Sequence, residues 1–271
     1  MNINELRRAD RAGTAMNTPR LLDLRDDRHR PQLDGDLRVE LGDTRVVAHP
    51  EADPVLVEQY RRLGAAVHGA HVANGVRSVM VTSAVEGEGK TFVAVNLAWT
   101  LSRSFGKRVL LVDGDMRNPS IHRLLRLDPG TGLARAVQRP GDRPDARMLS
   151  PTLSVVVGGA PDPDPVAWVV SEAAQRFLRE ARDRFDCVVV DTPPALAFPD
   201  AGLFAASLDA CLMVVHAAAT ASTDAARAVE AIGATRILGV VLNQVAAHEI
   251  AGGYGYYYGG RAGGWPLAVR R

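Results

Sequence analysis

The sequence predicts an α/β fold in which a mostly parallel central sheet is flanked by helices on both faces. Short, continuously apolar runs rich in Val and Leu alternate along the chain with amphipathic segments of helical spacing. Strands that are apolar throughout are typical of a parallel sheet covered on both faces. At 271 residues, 46% hydrophobic and 23% charged, the chain is long enough for one large domain with a substantial core.

The first elements begin after Asp53, which can cap a helix whose first residue is Pro54. A strand at 76–82, a Gly-rich turn, a helix at 91–105 and a strand at 108–113 follow. The same alternation continues to the end of the predicted sheet. The later elements are a strand at 153–157, a helix at 165–184, a strand at 186–191, a helix near 200–206, a strand at 210–216, a helix at 223–234 and a strand at 237–243.

Three segments divide the chain. Residues 1–45 are rich in Arg and Asp with few large apolar residues, which predicts a flexible leader, although a short strand at Leu37–Leu41 stays open. Residues 46–247 form the α/β domain. Residues 248–271 form a Gly/Tyr-rich tail of low complexity, and we expect that tail to be mobile.

Composition limits the classes of partner. A net charge of +1 gives no general attraction to nucleic acid, so we expect no nucleic-acid partner. The two cysteines, Cys187 and Cys211, lie in apolar runs and predict buried thiols in a reducing compartment. The N-terminus lacks an apolar secretion signal, and no apolar run reaches the ~20 residues needed to span a bilayer. We therefore expect a soluble cytoplasmic protein that reaches a membrane only through a partner.

The strongest motif is the segment Ala84-Val-Glu-Gly-Glu-Gly-Lys-Thr91, which fits the Walker A form and lies between a predicted strand and a predicted helix. Glycines at two positions let the backbone fold around phosphate, and the helix that follows offers its positive N-terminal end. Lys90 is expected to reach the terminal phosphates and Thr91 to hold Mg²⁺. The predicted nucleotide-binding residues of this segment are Gly87, Glu88, Gly89, Lys90, Thr91 and Phe92.

Carboxylates end two of the predicted strands. Asp113 and Asp115 follow one apolar run, and Asp191 follows another in a Val-Asp-Thr-Pro-Pro segment typical of Walker B. Because sites in parallel sheets form at the carboxyl ends of strands, we expect these acids beside the phosphate loop. Asp113 and Asp191 are candidate metal ligands beside Thr91. Asn243, at the end of the last strand, could contact the adenine or could be an ordinary turn residue.

These motifs resemble the bacterial tyrosine kinase (BY-kinase) family of capsule and exopolysaccharide systems. The segment Leu110-Leu-Val-Asp-Gly-Asp-Met-Arg-Asn-Pro119 is similar to that family's A′ motif, and the similarity covers about 58–245. The resemblance implies a P-loop NTPase fold of the SIMIBI/MinD-like type, ATP and Mg²⁺ as ligands, and catalytic roles for four side chains. These are Lys90, Asp113, Asp115 and Asp191. It also implies that Arg117 contacts the nucleotide.

The tail carries four of the five tyrosines, and this clustering predicts a phosphoacceptor segment. These tyrosines are Tyr254, Tyr256, Tyr257 and Tyr258. A phenol is a weak nucleophile at neutral pH, so transfer depends on placing its hydroxyl in line and neutralising phosphate charge. We expect Asp113 or Asp115 to orient the phenol or accept its proton. The resemblance implies an autokinase that controls polysaccharide polymerisation or export.

Partners follow from the resemblance alone. It implies a transmembrane polysaccharide copolymerase adaptor and a homo-oligomer formed through the helix that carries Glu58 and Arg61. Gly64 stands where the family has a second arginine, so one intersubunit ion pair cannot form unless Arg62 substitutes from a different helix face. The alternative function is a nucleotide-switched ParA/MinD-like scaffold ATPase without kinase activity. Val85 argues against it, because partition ATPases carry a signature lysine at that position.

Overall fold

The structure of the protein is a computed structural model that describes residues 43–130, 132–133, 144–162, 164–245 and 268–270. The predicted strand at 37–41, nearly all of the leader and the four tail tyrosines lie outside these residues. None of the helices in the described part of the chain combines the length and apolarity that crossing a bilayer requires.

The described residues form one eight-stranded sheet with helices between the strands. In chain order the elements are α1 (Pro54–Asn74), β1 (Ser78–Ser83), α2 (Lys90–Phe105), β2 (Val109–Asp113), α3 (Ile121–Leu124), β3 (Ala146–Ser150), β4 (Leu153–Val156), α4 (Val166–Val169), α5 (Glu172–Arg184), β5 (Cys187–Asp191), α6 (Asp200–Ser207), β6 (Ala210–His216), α7 (Ser222–Ile232), a 3₁₀ turn (Ala234–Arg236), β7 (Ile237–Asn243) and β8 (Ala268–Arg270).

The sheet has the strand order β3-β4-β2-β5-β1-β6-β7-β8. The six inner strands run parallel, and β3 and β8 pair antiparallel at the two edges. Crossovers therefore bring the carboxyl ends of β1, β2 and β5 together, at the middle of the side of the sheet where the parallel strands end. The predicted fold class is confirmed.

Both faces of the sheet are covered. Successive side chains of a strand point to opposite faces, so on β1 Val79 and Val81 pack with α1 and α2, whereas Met80 packs with the helices α4 to α7. The buried thiols Cys187 and Cys211 fall on opposite faces in the same way. This two-sided burial explains why the strands are apolar throughout.

The predicted start of α1 is correct, and the prediction of a single helix at 165–184 is wrong. Asp53 accepts a hydrogen bond from the Val55 N–H at 2.8 Å, so it caps α1 as expected. The segment at 165–184 is two helices, α4 and α5, with a break before Ser171. Ser171 has extended backbone (φ −74°, ψ 154°), and its hydroxyl accepts from the Ala174 N–H at 3.1 Å. A serine N-cap therefore starts a new helix where apolar spacing alone predicts a continuous one.

Candidate functional site

The phosphate loop connects β1 to α2 at the carboxyl edge of the sheet. Gly87 and Gly89 have φ values of +80° and +86°, a conformation that glycine adopts without steric cost. A Cβ atom at Gly89 would also collide with the side-chain amide of Asn243. α2 begins immediately after the loop, at Lys90. Its free N-terminal amides and its dipole therefore face the same space as the loop amides.

Lys90 lies at the centre of the strand-end acids. Its Nζ is 2.9 Å from Asp115 Oδ2, and both side chains are largely buried. Burial alone would lower the pKa of the Lys90 ammonium, but the charges of Asp191 and Asp115 outweigh burial and the pKa is raised. The lysine is therefore held as a cation in the place where phosphate charge would be neutralised.

Thr91 joins the loop to the Walker B strand. Its hydroxyl donates to Asp191 Oδ2 at 2.7 Å and lies 3.0 Å from the Ser120 hydroxyl. A threonine hydroxyl beside a buried aspartate is the donor set that P-loop proteins use for Mg²⁺. Thr91, Asp191 and Lys90 are therefore brought together as the sequence predicts.

Asp113 is fully buried at the end of β2, directly opposite Asp191 on β5. Its Oδ2 accepts from the backbone N–H groups of Ser120 and Ile121, each at 3.0 Å. Burial raises the pKa of Asp113 most, and the charge of Asp191 raises it further. Burial likewise raises the pKa of Asp191, and the opposing effects of Lys90 and the Thr91 hydroxyl offset only part of that rise.

One oxygen of each of these two acids remains without a partner. Within the described part of the chain, Oδ1 of Asp113 and Oδ1 of Asp191 are buried and accept no hydrogen bond. Buried carboxylate oxygens of this kind fit a divalent cation or its bound water. Among the described residues, no group of three or more His, Cys, Asp or Glu side chains is arranged to hold a metal ion by itself. A cation here would therefore need further oxygen ligands from phosphate and water.

Backbone and side-chain groups at the ends of β6 and β7 hold the phosphate loop. Glu88 is 2% exposed, and its carboxylate accepts from the backbone N–H of Val85 at 2.8 Å, from that of His216 at 3.2 Å and from the Thr220 hydroxyl. The Asn243 amide donates to the Glu88 carbonyl at 2.8 Å. The Glu88 side chain therefore connects the loop to the end of β6, and the Asn243 side chain connects it to the end of β7.

Phe92 and Arg117, which were also predicted to bind the nucleotide, each contact other side chains of the domain. The Phe92 ring packs against the core beneath α1 and α2, and the Arg45 guanidinium lies 4.5 Å from its centroid. Arg117 forms an ion pair with buried Asp200 through a 2.7 Å contact, and its guanidinium lies 4.3 Å from the centre of the Phe198 ring. Arg117 is therefore tied to the start of α6.

Sequence reasoning missed three residues of this site. Ser120 is bonded to both Thr91 and Asp113, and Gln244 donates to the Gly87 carbonyl at 3.0 Å. Gly114 donates its N–H to the Asp191 carbonyl at 2.8 Å, and a Cβ there would lie 2.8 Å from that oxygen. The Asp-Gly-Asp spacing could have suggested a close approach at Gly114. Neither polar residue stands out in the sequence.

Fold and site together define the class: this is a P-loop NTPase, in which a glycine loop, a lysine and two strand-end aspartates meet at the carboxyl end of the sheet. A family model described as ParA, NUBPL iron-transfer P-loop NTPase, matches residues 75–256. The chain belongs to these ParA-like P-loop NTPases and, within them, to the family of bacterial tyrosine-protein kinases. The resemblance predicted from the motifs is thereby confirmed.

Similarity to individual proteins agrees with this assignment. The chain is 33% identical to tyrosine-protein kinase YwqD of Bacillus subtilis over 218 residues, which are 78% of this chain and 90% of YwqD. The crystal structure of the chimerical protein CapA2B2 matches with a TM-score of 0.68 at 27% identity, over 75% of this chain and 91% of that one. The kinase domain of Escherichia coli tyrosine kinase ETK matches with a TM-score of 0.63 at 26% identity, over 68% and 74% respectively.

Proposed function

We propose that this protein is an ATP-dependent protein-tyrosine autokinase that phosphorylates its C-terminal tyrosine cluster and regulates exopolysaccharide or capsule synthesis. The observation that carries the proposal is the convergence of Lys90, Thr91 and the two buried aspartates at one sheet edge. Similarity to YwqD supports the kinase reaction over nucleotide hydrolysis alone. The last of the six parallel strands, β7, ends on the same side of the sheet, and the tail follows it in the sequence.

The residues of the site divide the work of phosphoryl transfer. The loop amides and Lys90 hold the β- and γ-phosphates and offset their charge. Thr91 and Asp191 would hold Mg²⁺, which would supply further charge neutralisation. The tyrosine oxygen attacks the γ-phosphorus as the bond to the β–γ bridging oxygen breaks and ADP departs.

Asp113 is the better candidate to take the phenol proton. Both oxygens of Asp115 are engaged, one with the Lys90 ammonium and one with the Asn118 N–H at 3.2 Å. Asp113 keeps one oxygen free among the described residues, and its raised pKa makes its carboxylate a stronger base. Asp115 then serves to fix the position of Lys90.

Assembly with other chains is a further part of the proposal. We infer a transmembrane polysaccharide copolymerase adaptor as the membrane partner and a homo-oligomer formed through α1. On α1 the Glu58 carboxylate lies 3.5 Å from Arg61 and 3.9 Å from Arg62, and both arginines are exposed. The exposed Arg61 lies on the surface that a neighbouring copy would contact, and Gly64 leaves α1 without the second arginine of the family's motif.

The test is incubation of the purified protein with Mg-ATP, followed by a phosphotyrosine immunoblot and intact-mass measurement. We expect mass increments of about 80 Da per phosphate on the tail. The signal should be lost in Lys90→Met and in a variant with all four tail tyrosines changed to Phe. Lys107→Met, at the other lysine of the sequence, is the matched control and should retain the signal. ATP hydrolysis without phosphotyrosine would instead support the ParA/MinD-like scaffold function.

A further inference from the structure

Two side-chain amides that follow one another at the end of β7 contact the outer surface of the phosphate loop. Asn243 Nδ2 donates to the Glu88 carbonyl at 2.8 Å, and Gln244 Nε2 donates to the Gly87 carbonyl at 3.0 Å. These two carbonyls belong to consecutive peptide groups of the loop. Each peptide group also contains the N–H of the residue that follows, that is, of Glu88 and of Gly89.

A planar trans peptide group directs its C=O and its N–H to opposite sides, and the described residues contain no cis peptide bond. An amide that holds a carbonyl on the outer side therefore turns the N–H of the same group toward the inner side. We propose that Asn243 and Gln244 are positioning residues that aim the N–H groups of Glu88 and Gly89 at the phosphates of the nucleotide. This inference rests on the proposed nucleotide site and assigns a role within it.

The loop needs such support because its own backbone is soft. Glycine rotates about φ and ψ with little steric resistance, so Gly87 and Gly89 leave the intervening peptide planes poorly fixed. Hydrogen bonding at the carbonyl also polarises the peptide group and strengthens its N–H as a donor. The two amides therefore improve both the direction and the strength of the phosphate contacts.

The conformation of Gln244 supports a role beyond ordinary turn formation. Its φ is +58°, in the left-handed region that a non-glycine residue seldom adopts. Unfavourable backbone conformations persist where the surrounding structure fixes them, often at ligand sites. Here the left-handed turn is the geometry in which the side chain of Gln244 reaches the Gly87 carbonyl.

The side chain of Glu88 gives the loop a second connection to the same strand ends. The Glu88 carboxylate accepts from the backbone N–H of His216, and His216 is paired with Asn243 across the β6–β7 ladder. The backbone and the side chain of Glu88 are therefore both tied to the same pair of strand ends. Rotation of the Gly87–Glu88 peptide would break the hydrogen bond from Gln244.

The discriminating variant is Gln244→Glu, which keeps the size of the side chain but replaces the donor with a carboxylate facing a carbonyl oxygen. We expect the Kd for Mg-ADP, measured by calorimetry, to rise about three- to tenfold, the effect of one lost hydrogen bond. The Kd for adenosine, measured by ligand-observed NMR, should stay unchanged because adenosine carries no phosphate. Asn243→Asp should act in the same direction.

Gln175→Glu is the matched control, because Gln175 donates from its amide to the Ser207 hydroxyl at 2.8 Å on the other side of the sheet. It should leave both dissociation constants unchanged. Unchanged Mg-ADP affinity in a folded Gln244→Glu protein, or an equal loss for adenosine, would overturn the inference while leaving the nucleotide site itself intact. If Gln244→Glu does not fold, Gln244→Ala answers the same question, with the amide ¹H shifts of Glu88 and Gly89 in the Mg-ADP complex as readout. Wild-type shifts in that variant would contradict the assigned role.

Discussion

Asp113 and Asp191 occupy paired positions on the adjacent parallel strands β2 and β5, and both are completely buried. Each keeps one oxygen, Oδ1, without a hydrogen-bond partner in the described part of the chain. Burial is the main cause of the raised pKa of each. Two charged carboxylates at these positions therefore destabilise the fold unless a cation offsets their charge.

The first prediction concerns stability as a function of pH without ligand. Because the folded-state pKa of Asp113 is raised above the unfolded value near 4, the folded protein binds more protons than the unfolded chain in the window between them. The free energy of unfolding therefore falls as pH rises through that window. Asp113→Asn should flatten this fall and raise stability at pH 8 by about 1 to 3 kcal/mol. Urea unfolding at pH 5 and pH 8 measures both effects.

Asp186→Asn serves as the control for this experiment. The hydrogen bond and charge of Arg108 lower the pKa of Asp186, so its contribution to stability is present above the unfolded pKa and is lost as pH falls. The variant Asp186→Asn should therefore leave the change in the free energy of unfolding between pH 5 and pH 8 as it is in the wild type. An equal slope in wild type and Asp113→Asn would show that Asp113 does not carry the buried charge.

The second prediction concerns the hydroxyl that bridges the loop and β5. Thr91→Val keeps the shape of the side chain but removes the donor to Asp191 and the oxygen offered to Mg²⁺. The measurement is the affinity for ADP with Mg²⁺ and with EDTA. We expect the increase in affinity that Mg²⁺ produces to be smaller than in the wild type by about tenfold or more, as for the loss of a charge-assisted contact. Thr91→Ser should restore most of it. A full Mg²⁺-dependent gain in Thr91→Val would place the cation elsewhere.

The sheet and the phosphate loop could be predicted because they depend on local patterns. Apolar runs, a capping aspartate and the glycine spacing of the loop each act over a few residues, and Asp53 and Gly89 behave as expected. The break before Ser171 was missed because neither glycine nor proline stands between α4 and α5, so the strongest helix-breaking residues are absent there.

The direction of polar side chains at the site could not be predicted. Glu88 stands inside a nucleotide-binding motif, yet its carboxylate points back to His216 and Val85. Gln244 is 157 residues from the carbonyl to which it donates. Such contacts depend on which strand ends meet in the sheet, and that follows from the strand order rather than from any local spacing.

The third prediction tests the buried carboxylate of Glu88. Three donors converge on it, so Glu88→Gln would place an amide N–H against at least one of them and leave that group unsatisfied. We expect the free energy of unfolding to fall by about 1 to 3 kcal/mol. Thr220→Val removes a single donor and should cost less. Glu230→Gln, on the exposed side of α7, should change stability by less than about 0.5 kcal/mol. Equal stability of Glu88→Gln and Glu230→Gln would contradict this account.

The last prediction compares two glycines of α1. In a helix interior, alanine is favoured over glycine by about 1 kcal/mol. At Gly69 a Cβ meets nothing within 4 Å, so Gly69→Ala should stabilise the protein by about that amount. At Gly64 a Cβ would lie 2.8 Å from Phe105 Cε2 and 3.1 Å from Thr100 Cγ2, so either the Phe105 ring must move or α1 and α2 must separate. Overpacking of this kind costs about 1 to 3 kcal/mol, and Gly64→Ala should therefore destabilise the protein.

Gly64 also stands where the family carries an arginine, and the same contact decides what that substitution would do here. Because Gly64 is buried between α1 and α2, Gly64→Arg should lower the melting temperature further than Gly64→Ala. The arginine would then disturb the helix pair before it could offer an ion pair to a neighbouring copy. Thermal unfolding of the three variants, with sedimentation velocity for their association state, tests both statements. A Gly64→Arg protein of wild-type stability that gains a higher oligomer would show that α1 moves freely enough to accept the arginine.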